Sequence, residues 1–478
     1  MRIKLLSIVL VGLLSVTHTN YAADLVLPDL GDASGGLITP AKEYELGQNW
    51  LMAYRAQVPT STDPFIQAYV EQLVTRLATF SDLRDLRLDI LVVENPTLNA
   101  FAVPGGIIGI NTGLFRFAQD EQQFSSVVAH ELAHLSQRHY ARKVQEQQKN
   151  QVGYLAAMLA SIAIAATTDG DAGIAAISAT QAAAIDAQLR FSRYMEAEAD
   201  RIGMETMIRA QMDPYAMPDM FEQMLSATRY YRRPPEFLLT HPVTESRIAD
   251  SKLRAQQHQK KYYAPNVEYK LVKTRAELLH VKNYREAERT YKDIIASRED
   301  FNEIANYGLA LSLAKQRSLD EARDVFKQLL RYDADNLYYI IGLAEVETER
   351  GNADTAIKLL IDKLRSFPTH HALNVKLAEI YMKASRYKEC EELLKVHVTR
   401  RPKDDYVWYL LAEVHGLAGN ILDVHLARAE YFVLNGVFQK AEIQLVNALK
   451  RVENDRHLKA KVEQRLAEVR KLQRDAKI

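Results

Sequence analysis

The sequence predicts a mostly α-helical chain, with a small β-sheet in its first half and a solenoid of helical repeats in its second half. Apolar residues recur at helical spacing over most of the chain, whereas residues 86–110 alternate in the manner of strands. Beyond residue 266, small residues recur every 34 positions, which indicates stacked helical units. At 478 residues the chain is too long for one hydrophobic core, so we expect at least two domains.

Composition is that of an ordinary soluble globular protein. Hydrophobic residues make up 47% of the chain and charged residues 26%. The 61 basic and 61 acidic residues cancel, which gives no reason to expect nucleic acid or an anionic membrane as the main partner.

Residues 1–23 have the layout of a cleaved signal peptide. Two basic residues precede an apolar run over residues 5–16, and a polar stretch then ends in Ala22-Ala23. The run is too short to span a bilayer, although an uncleaved anchor remains the alternative. Cys390 is the only cysteine, so no internal disulfide can form. We therefore predict an extracytoplasmic protein, for which a bacterial periplasm fits best.

The first domain, residues 24–260, is predicted from local patterns. Its expected elements are an irregular arm over residues 24–40, helices at Ala41–Ala56 and Pro64–Phe80, a strand at Leu86–Glu94, a hairpin at Ala100–Ile110 with Pro104-Gly105-Gly106 as its turn, and a helix from Asp120 onward through His130 and His134.

An alanine-rich stretch over residues 151–190 predicts an apolar helical hairpin. Its two helices, Tyr154–Thr168 and Ala172–Gln188, are each shorter than the roughly 20 residues that a membrane span requires. We therefore expect no transmembrane span in the mature chain. A lid, a partner surface and plain packing all remain open as its role.

The second domain, residues 261–478, is predicted to start within the polar stretch 250–266. The positions that recur at a spacing of 34 are Ala310, Ala344, Ala378 and Ala412; Gly308 and Gly342; Ala322, Ala356 and Cys390; and Ala334, Pro368 and Pro402. This period, with small residues where helices cross, is typical of the tetratricopeptide repeat. We expect about four to five units, capped by a charged helix at Asp455–Lys477. Cys390 stands in a column of alanines, which predicts a small buried residue.

Residues 130–134 read His-Glu-x-x-His, a spacing suited to binding one metal ion. His130 and His134 lie one turn apart on one face of a helix, so both imidazoles can reach the same ion. Glu131 lies about 100° around the helix, beside the ion, where a carboxylate can act as a general base. We expect one Zn²⁺ per chain, since two imidazoles and a carboxylate leave a fourth position open. A surface helix with paired His and Glu is the alternative, but the flanking residues are apolar.

The third ligand is expected on a helix predicted at Phe191–Ala210. Glu196 and Asp200 are four residues apart there, so Glu196 can bind the metal while Asp200 orients a ligating histidine. Glu198 competes with Glu196 for the ligand position, and a solvated acidic face is the alternative for the whole cluster. His139, five residues past the second histidine of the motif, is predicted to lie on the wrong face.

Several segments together resemble the M48 zinc metallopeptidases. They are His-Glu-Leu-Ala-His at 130–134, Ser-Arg-x-x-Glu-x-Glu-Ala-Asp at 192–200, Asn-Ala-Phe-Ala at 99–102 with Pro-Gly-Gly at 104–106, and Thr-His-Pro at 240–242 with Arg247. The resemblance implies a zincin-type metalloprotease domain, with zinc on His130, His134 and Glu196 and with Glu131 as the catalytic base. It also implies that His241 can ligate the zinc and hold the enzyme latent, whereas the residues alone leave His241 as a free loop histidine. Arg247 would stabilise the oxyanion or hold carboxylates near the metal.

The signal peptide and the repeats make the chain similar to soluble, periplasmic members of that family. This resemblance implies an endopeptidase that degrades misassembled or stalled outer-membrane β-barrel proteins, with their assembly machinery as a partner and a secondary chaperone role. The strand at 100–104 is expected to pair with an extended substrate. Two alternatives stay open: a repeat-based chaperone or scaffold with a latent or structural zinc site, and a metal-dependent hydrolase that acts on something other than peptides.

Overall fold

The computed structural model describes residues 39–147, 192–228, 235–297, 300–452 and 455–475. The predicted signal peptide, the arm up to residue 38 and the alanine-rich hairpin at 151–190 lie outside the described residues. Within them, the chain is mostly helical and contains one three-stranded sheet, as the sequence predicts. No helix in these ranges is long and apolar enough to cross a membrane.

The first domain contains the predicted helices and strands. Its helices are Pro40–Arg55, Pro64–Phe80, Leu114–Phe117, Glu121–Ser136, 139–147, 192–209, Ala216–Thr228, Glu236–Thr240 and Glu245–Ala255, and its strands are β1 (Asp89–Val93), β2 (Ala100–Val103) and β3 (Ile107–Asn111). Strand β1 is shorter than the strand predicted at residues 86–94. The reason is that β3 begins at Ile107, opposite Asp89, so residues 86–88 have no strand to pair with.

The sheet has the order β1-β3-β2, with β1 parallel and β2 antiparallel to β3. The predicted hairpin is confirmed, and its turn uses Gly105 and Gly106 at φ values of 87° and 85°, a region that favours glycine. The turn packs on the helix Pro40–Arg55 at Gly47, where a Cβ atom would lie 2.0 Å from the carbonyl oxygen of Pro104. Because the strand order is β1-β3-β2, β2 forms one edge of the sheet in the described part of the chain.

The second domain is a series of helices joined by short turns. They are Val267–Leu279, Tyr284–Ala296, Glu303–Lys315, Leu319–Tyr332, Leu337–Glu349, Ala353–Ser366, His371–Lys383, Tyr387–Arg400, Asp405–Leu417, Ile421–Leu434, Phe438–Leu449 and Arg456–Asp475. The described residues thus form five helix pairs up to Leu434, at the upper end of the predicted number, followed by two further helices. The last of these is the predicted charged helix.

The recurring small residues lie where helices cross. The alanines at 310, 344, 378 and 412 are almost fully buried, and Cys390 is as buried as the alanines at 322 and 356. A Cβ atom on Gly308 would lie 2.3 Å from the ring of Tyr291, and one on Gly342 would lie 2.4 Å from the ring of Phe326. The 34-residue period therefore reflects helix–helix contacts that recur in each unit. The prediction that Cys390 is a small buried residue is confirmed.

One continuous hydrophobic core joins the two domains. The polar stretch 250–266 is partly helical, since the helix ending at Ala255 extends into it, and residues 256–266 make the connection. Tyr269 then donates a hydrogen bond to the carbonyl oxygen of Ala118 at 3.0 Å. Arg275 Nη2 lies 2.6 Å from Oδ2 of Asp63, the residue that caps the helix Pro64–Phe80. The division at residue 260 stays a prediction, while the packing ties the repeats to the first domain.

Candidate metal centre

The first candidate ligands lie on the helix Glu121–Ser136, which we call the motif helix. Asp120 caps its N-terminus by accepting a hydrogen bond from the Gln123 N–H at 2.9 Å. His130 and Glu131 are each only 1% exposed on this helix. Ionisable groups buried this deeply require partners, and for His130 they are carboxylates on a later segment of the chain.

Four side chains direct donor atoms toward one point. The atoms are Nε2 of His130, Nε2 of His134, the carboxylate of Glu196 and Nδ1 of His241, all within 4.8 Å of one another. His130 Nε2 lies 3.0 Å from His134 Nε2 and 3.4 Å from Glu196 Oε2. Zinc bonds of about 2.0–2.2 Å at tetrahedral angles place donors about 3.4 Å apart. The kind of donors and their separations therefore fit a tetrahedral site of zinc's size.

His241 occupies the fourth corner of this cluster. It directly follows the short helix Glu236–Thr240, and its N–H donates to the Phe237 carbonyl oxygen at 2.7 Å. Its Nδ1 lies 3.1 Å from Glu196 Oε1, and its Nε2 lies 3.6 Å from Glu131 Oε1. His241, for which the residues alone predict a loop position, thus lies close to both Glu196, a candidate ligand, and Glu131, the predicted base.

Glu131 lies beside the donor atoms and is not one of them. Its Oε1 has no hydrogen-bond partner among the described residues, and the carboxylate is hydrogen-bonded by the backbone of Ala102 in β2. Burial raises the pKa of Glu131, although the neighbouring imidazoles of His241 and His130 oppose that shift. A buried carboxylate with one unsatisfied oxygen and a raised pKa is suited to accepting a proton.

Asp200 and Arg247 support the His130 side of the cluster. Asp200 Oδ1 lies 3.0 Å from His130 Nδ1, the contact that the sequence predicts. Arg247 donates to both oxygens of Asp200, at 2.7 and 2.6 Å, and to the carbonyl oxygen of Pro242 at 2.8 Å, while its Nη1 lies 3.1 Å from Glu196 Oε2. Because every nitrogen of the guanidinium is engaged in this way, the contacts favour a holding role over oxyanion binding.

These contacts also shift the pKa values of Asp200 and His130. Burial opposes the ionisation of Asp200, but hydrogen bonds from Arg247 hold the pKa of Asp200 below its usual range. Burial likewise opposes a charged His130, yet the neighbouring carboxylates of Asp200 and Glu196 raise the pKa of His130 to about 9. A metal that binds His130 must therefore displace a proton, so metal binding is expected to release protons.

Sequence reasoning missed the contact that His139 makes. Arg138 has φ 50° at the end of the motif helix, and this left-handed residue redirects the chain into the helix 139–147. As a result, His139 Nδ1 lies 2.7 Å from Nδ1 of His134. Glu198 Oε2 lies 3.2 Å from the other ring nitrogen of His139, Nε2. Neither His139 nor Glu198 is among the four donor residues. The sequence predicts that His139 is not a ligand, but counting along a straight helix does not reveal its contact with His134. Nothing in the sequence marks the turn at Arg138.

Gly203 sets the distance between the motif helix and the helix 192–209. A Cβ atom on Gly203 would lie 3.1 Å from the carbonyl carbon and oxygen of Ala129 and from the backbone nitrogen of His130. Ala133, Ala199 and Ile202 form a small buried cluster of their own. Small residues at this crossing therefore let Glu196 approach the two histidines.

We expect Gly203→Val to weaken metal binding about 10–100-fold, the range found for changes that disturb the surroundings of metal ligands. The added side chain pushes the two helices apart and moves Glu196 relative to His130. Zinc retained after dialysis against a chelator would measure the effect. Gly416→Val is the matched control, because a Cβ atom there meets only a methyl group of Val424 at 3.8 Å. Equal retention in the two variants would contradict the prediction.

Two histidines one helical turn apart, a glutamate from a later helix and a buried carboxylate beside them define a metallopeptidase site. The chain belongs to peptidase family M48, whose family model matches residues 64–255. Tetratricopeptide repeat models match residues 278–336 and 347–414. The family resemblance, the metalloendopeptidase class and the repeat fold that the sequence predicts are therefore confirmed.

Two bacterial relatives match most of the chain, and a mitochondrial one matches a shorter part. It is 31% identical over 448 residues to the "Beta-barrel assembly-enhancing protease" of Escherichia coli O157:H7, covering 94% of this chain and 92% of that protein. It is 31% identical over 420 residues to the "Putative beta-barrel assembly-enhancing protease" of Vibrio cholerae, covering 87% and 86%. The "Mitochondrial metalloendopeptidase OMA1" of Schizosaccharomyces pombe is 31% identical over 180 residues, or 38% of this chain and 50% of that protein.

Proposed function

We propose that this protein is a zinc endopeptidase of the bacterial periplasm, which degrades misassembled or stalled outer-membrane β-barrel proteins and assists their assembly. The observation that carries the proposal is the four-donor cluster of His130, His134, Glu196 and His241 beside the buried carboxylate of Glu131. The names and nearly full-length similarity of the bacterial relatives support the role in β-barrel assembly. The signal peptide predicted at residues 1–23 supports the periplasm.

Peptide hydrolysis assigns separate tasks to the residues of the site. When bound, zinc supplies Lewis-acid polarisation of the scissile carbonyl and activation of water. Glu131 takes the proton of the attacking water on Oε1, which has no hydrogen-bond partner among the described residues, and then gives it to the leaving amine. Asp200 keeps the Nδ1 proton of His130 in place, so that Nε2 presents its lone pair to the metal. Arg247 keeps Asp200 ionised, and its contacts with Asp200 and Glu196 hold both carboxylates in place.

The edge strand β2 is the proposed docking line for substrate. It pairs only with β3 in the described sheet, and the backbone of Ala102 on it reaches Glu131. An extended peptide added at this edge would be held by main-chain hydrogen bonds beside the base. Such binding needs little sequence preference, which suits a protease of unfolded chains. The repeats offer the surface for protein partners.

We expect His241→Ala to raise proteolysis, by about tenfold if the fourth donor position is open in only a tenth of the chains. In the structure His241 Nδ1 occupies the corner that substrate or water needs, 3.4 Å from His130 Nε2. The rate of casein cleavage measures the change, with His258→Ala, at an exposed histidine outside the site, as the control. Unchanged activity would reject latency, and lost activity would point to a role of His241 in the transition state.

The function as a whole is tested on the purified full chain. It should contain about one zinc ion and cleave an unfolded outer-membrane β-barrel protein while sparing the folded form. A chain that retains no zinc after purification without chelators would refute the enzyme and favour a repeat scaffold. Cleavage of casein without any effect on β-barrel proteins would refute only the proposed substrate class.

A further inference from the structure

A series of buried and half-buried polar groups leads away from His134 on the side opposite the metal cluster. His139 Nδ1 lies 2.7 Å from His134 Nδ1, and His139 Nε2 lies 3.2 Å from Glu198 Oε2. Arg142 Nη1 donates to the same oxygen of Glu198 at 2.7 Å. His139 is only 4% exposed, so little water is available to replace these contacts. We call His139, Glu198 and Arg142 the His134 support.

The hydrogen-bonding capacity of these groups permits one arrangement of protons around a bound metal. His134 must leave Nε2 without a proton in order to ligate, so its single proton lies on Nδ1. His139 must then accept that proton's hydrogen bond at its own Nδ1, which places its single proton on Nε2. The Nε2–H donates to the Glu198 carboxylate, which can accept from His139 and Arg142 together. Glu198 therefore fixes the tautomer of His139, and His139 fixes the tautomer of His134.

We propose that His139 is a positioning residue, which fixes the ring orientation and tautomer of His134 and is itself held by Glu198 and Arg142. The inference rests on the proposed zinc site. On the other side of that site, Asp200 lies behind His130 and is held by Arg247. Each of the two motif histidines thus has a buried polar side chain within 3.0 Å of its Nδ1, and an arginine anchors each support. Groups behind metal-binding imidazoles commonly set their orientation and basicity.

The expected effect of His139→Ala is a loss of zinc affinity of about 10–100-fold. His139→Asn separates the acceptor role from bulk packing, because Oδ1 of asparagine occupies nearly the place of histidine Nδ1 and can accept from His134. We expect His139→Asn to recover most of the affinity that His139→Ala loses. Glu198→Ala should weaken binding in the same direction, because it releases the Nε2 end of His139 while leaving His139 in place.

The experiment measures zinc affinity of the full-length chain by competition with a chelator, together with the visible spectrum of the Co²⁺-substituted protein. We expect an altered spectrum in His139→Ala and one close to the unmutated protein in His139→Asn. His258→Ala serves as the matched histidine control. Equal affinity and an unchanged spectrum in His139→Ala would overturn the inference, and so would His139→Asn behaving like His139→Ala. If the unmutated chain bound neither metal, the proposed zinc site itself would fail, which is a different result.

Discussion

A Glu131→Gln variant is expected to keep its metal and to lose peptide cleavage by about 10²–10⁴-fold, the usual contribution of a positioned general base. Glutamine fills the same space but cannot accept a proton at neutral pH. The fold should tolerate the change, because Oε1 of the buried Glu131 has no hydrogen-bond partner in the described part of the chain and burial raises the pKa of this carboxyl. The measurements are kcat/KM on an unfolded protein substrate and zinc content by elemental analysis.

The matched control for this variant is Glu205→Gln, an exposed glutamate on the helix 192–209 that pairs with Arg201. It should leave both zinc content and cleavage unchanged. Glu131→Gln also separates the protease from the scaffold alternative in cells. A protein that acts only through its repeats would keep its effect on outer-membrane assembly in this variant. Cleavage at the unmutated rate would remove Glu131 from the mechanism.

Glu196→Ala is expected to abolish both zinc binding and cleavage. Its carboxylate oxygens lie 3.4 Å from Nε2 of His130 and of His134 and 3.1 Å from His241 Nδ1, so the change removes the only anionic donor of the cluster. The loss of zinc affinity should exceed the 10–100-fold typical of changes behind the ligands. Chelator competition measures it directly.

Two further variants on the same helix make the result specific. Glu205→Ala removes an exposed carboxylate and should leave zinc binding intact. Asp200→Asn should weaken zinc binding less than Glu196→Ala does, since it leaves all four donors in place and alters only the contacts of Asp200 with His130 and Arg247 behind them. Zinc affinity in Glu196→Ala equal to that of the unmutated chain would reject Glu196 as a ligand.

Local chemistry explains why much of this protein is predictable from its sequence. His130, His134 and Glu131 occupy positions fixed by the geometry of one helix, so their spacing defines their relative placement without knowledge of the fold. Two glycines in a row mark the hairpin turn, because both have a positive φ there. The alanine columns of the repeats are equally local in origin, since each stacked unit repeats the same helix contacts. The place of His241 came only from the family resemblance.

The remaining features depend on contacts between distant segments or on single backbone angles, which no local sequence pattern specifies. The contact of His139 with His134 depends on the left-handed backbone at Arg138, which any sequence count along a helix misses. The partner of Arg247 depends on how the last helix of the first domain lies against the helix 192–209. The division into two domains follows a polar stretch in the sequence, yet Tyr269 and the Arg275–Asp63 pair join the domains through buried contacts. The spacing of the candidate ligands on the motif helix and the repeat period are local properties and can be read from the residues, whereas the groups that support those candidate ligands depend on packing.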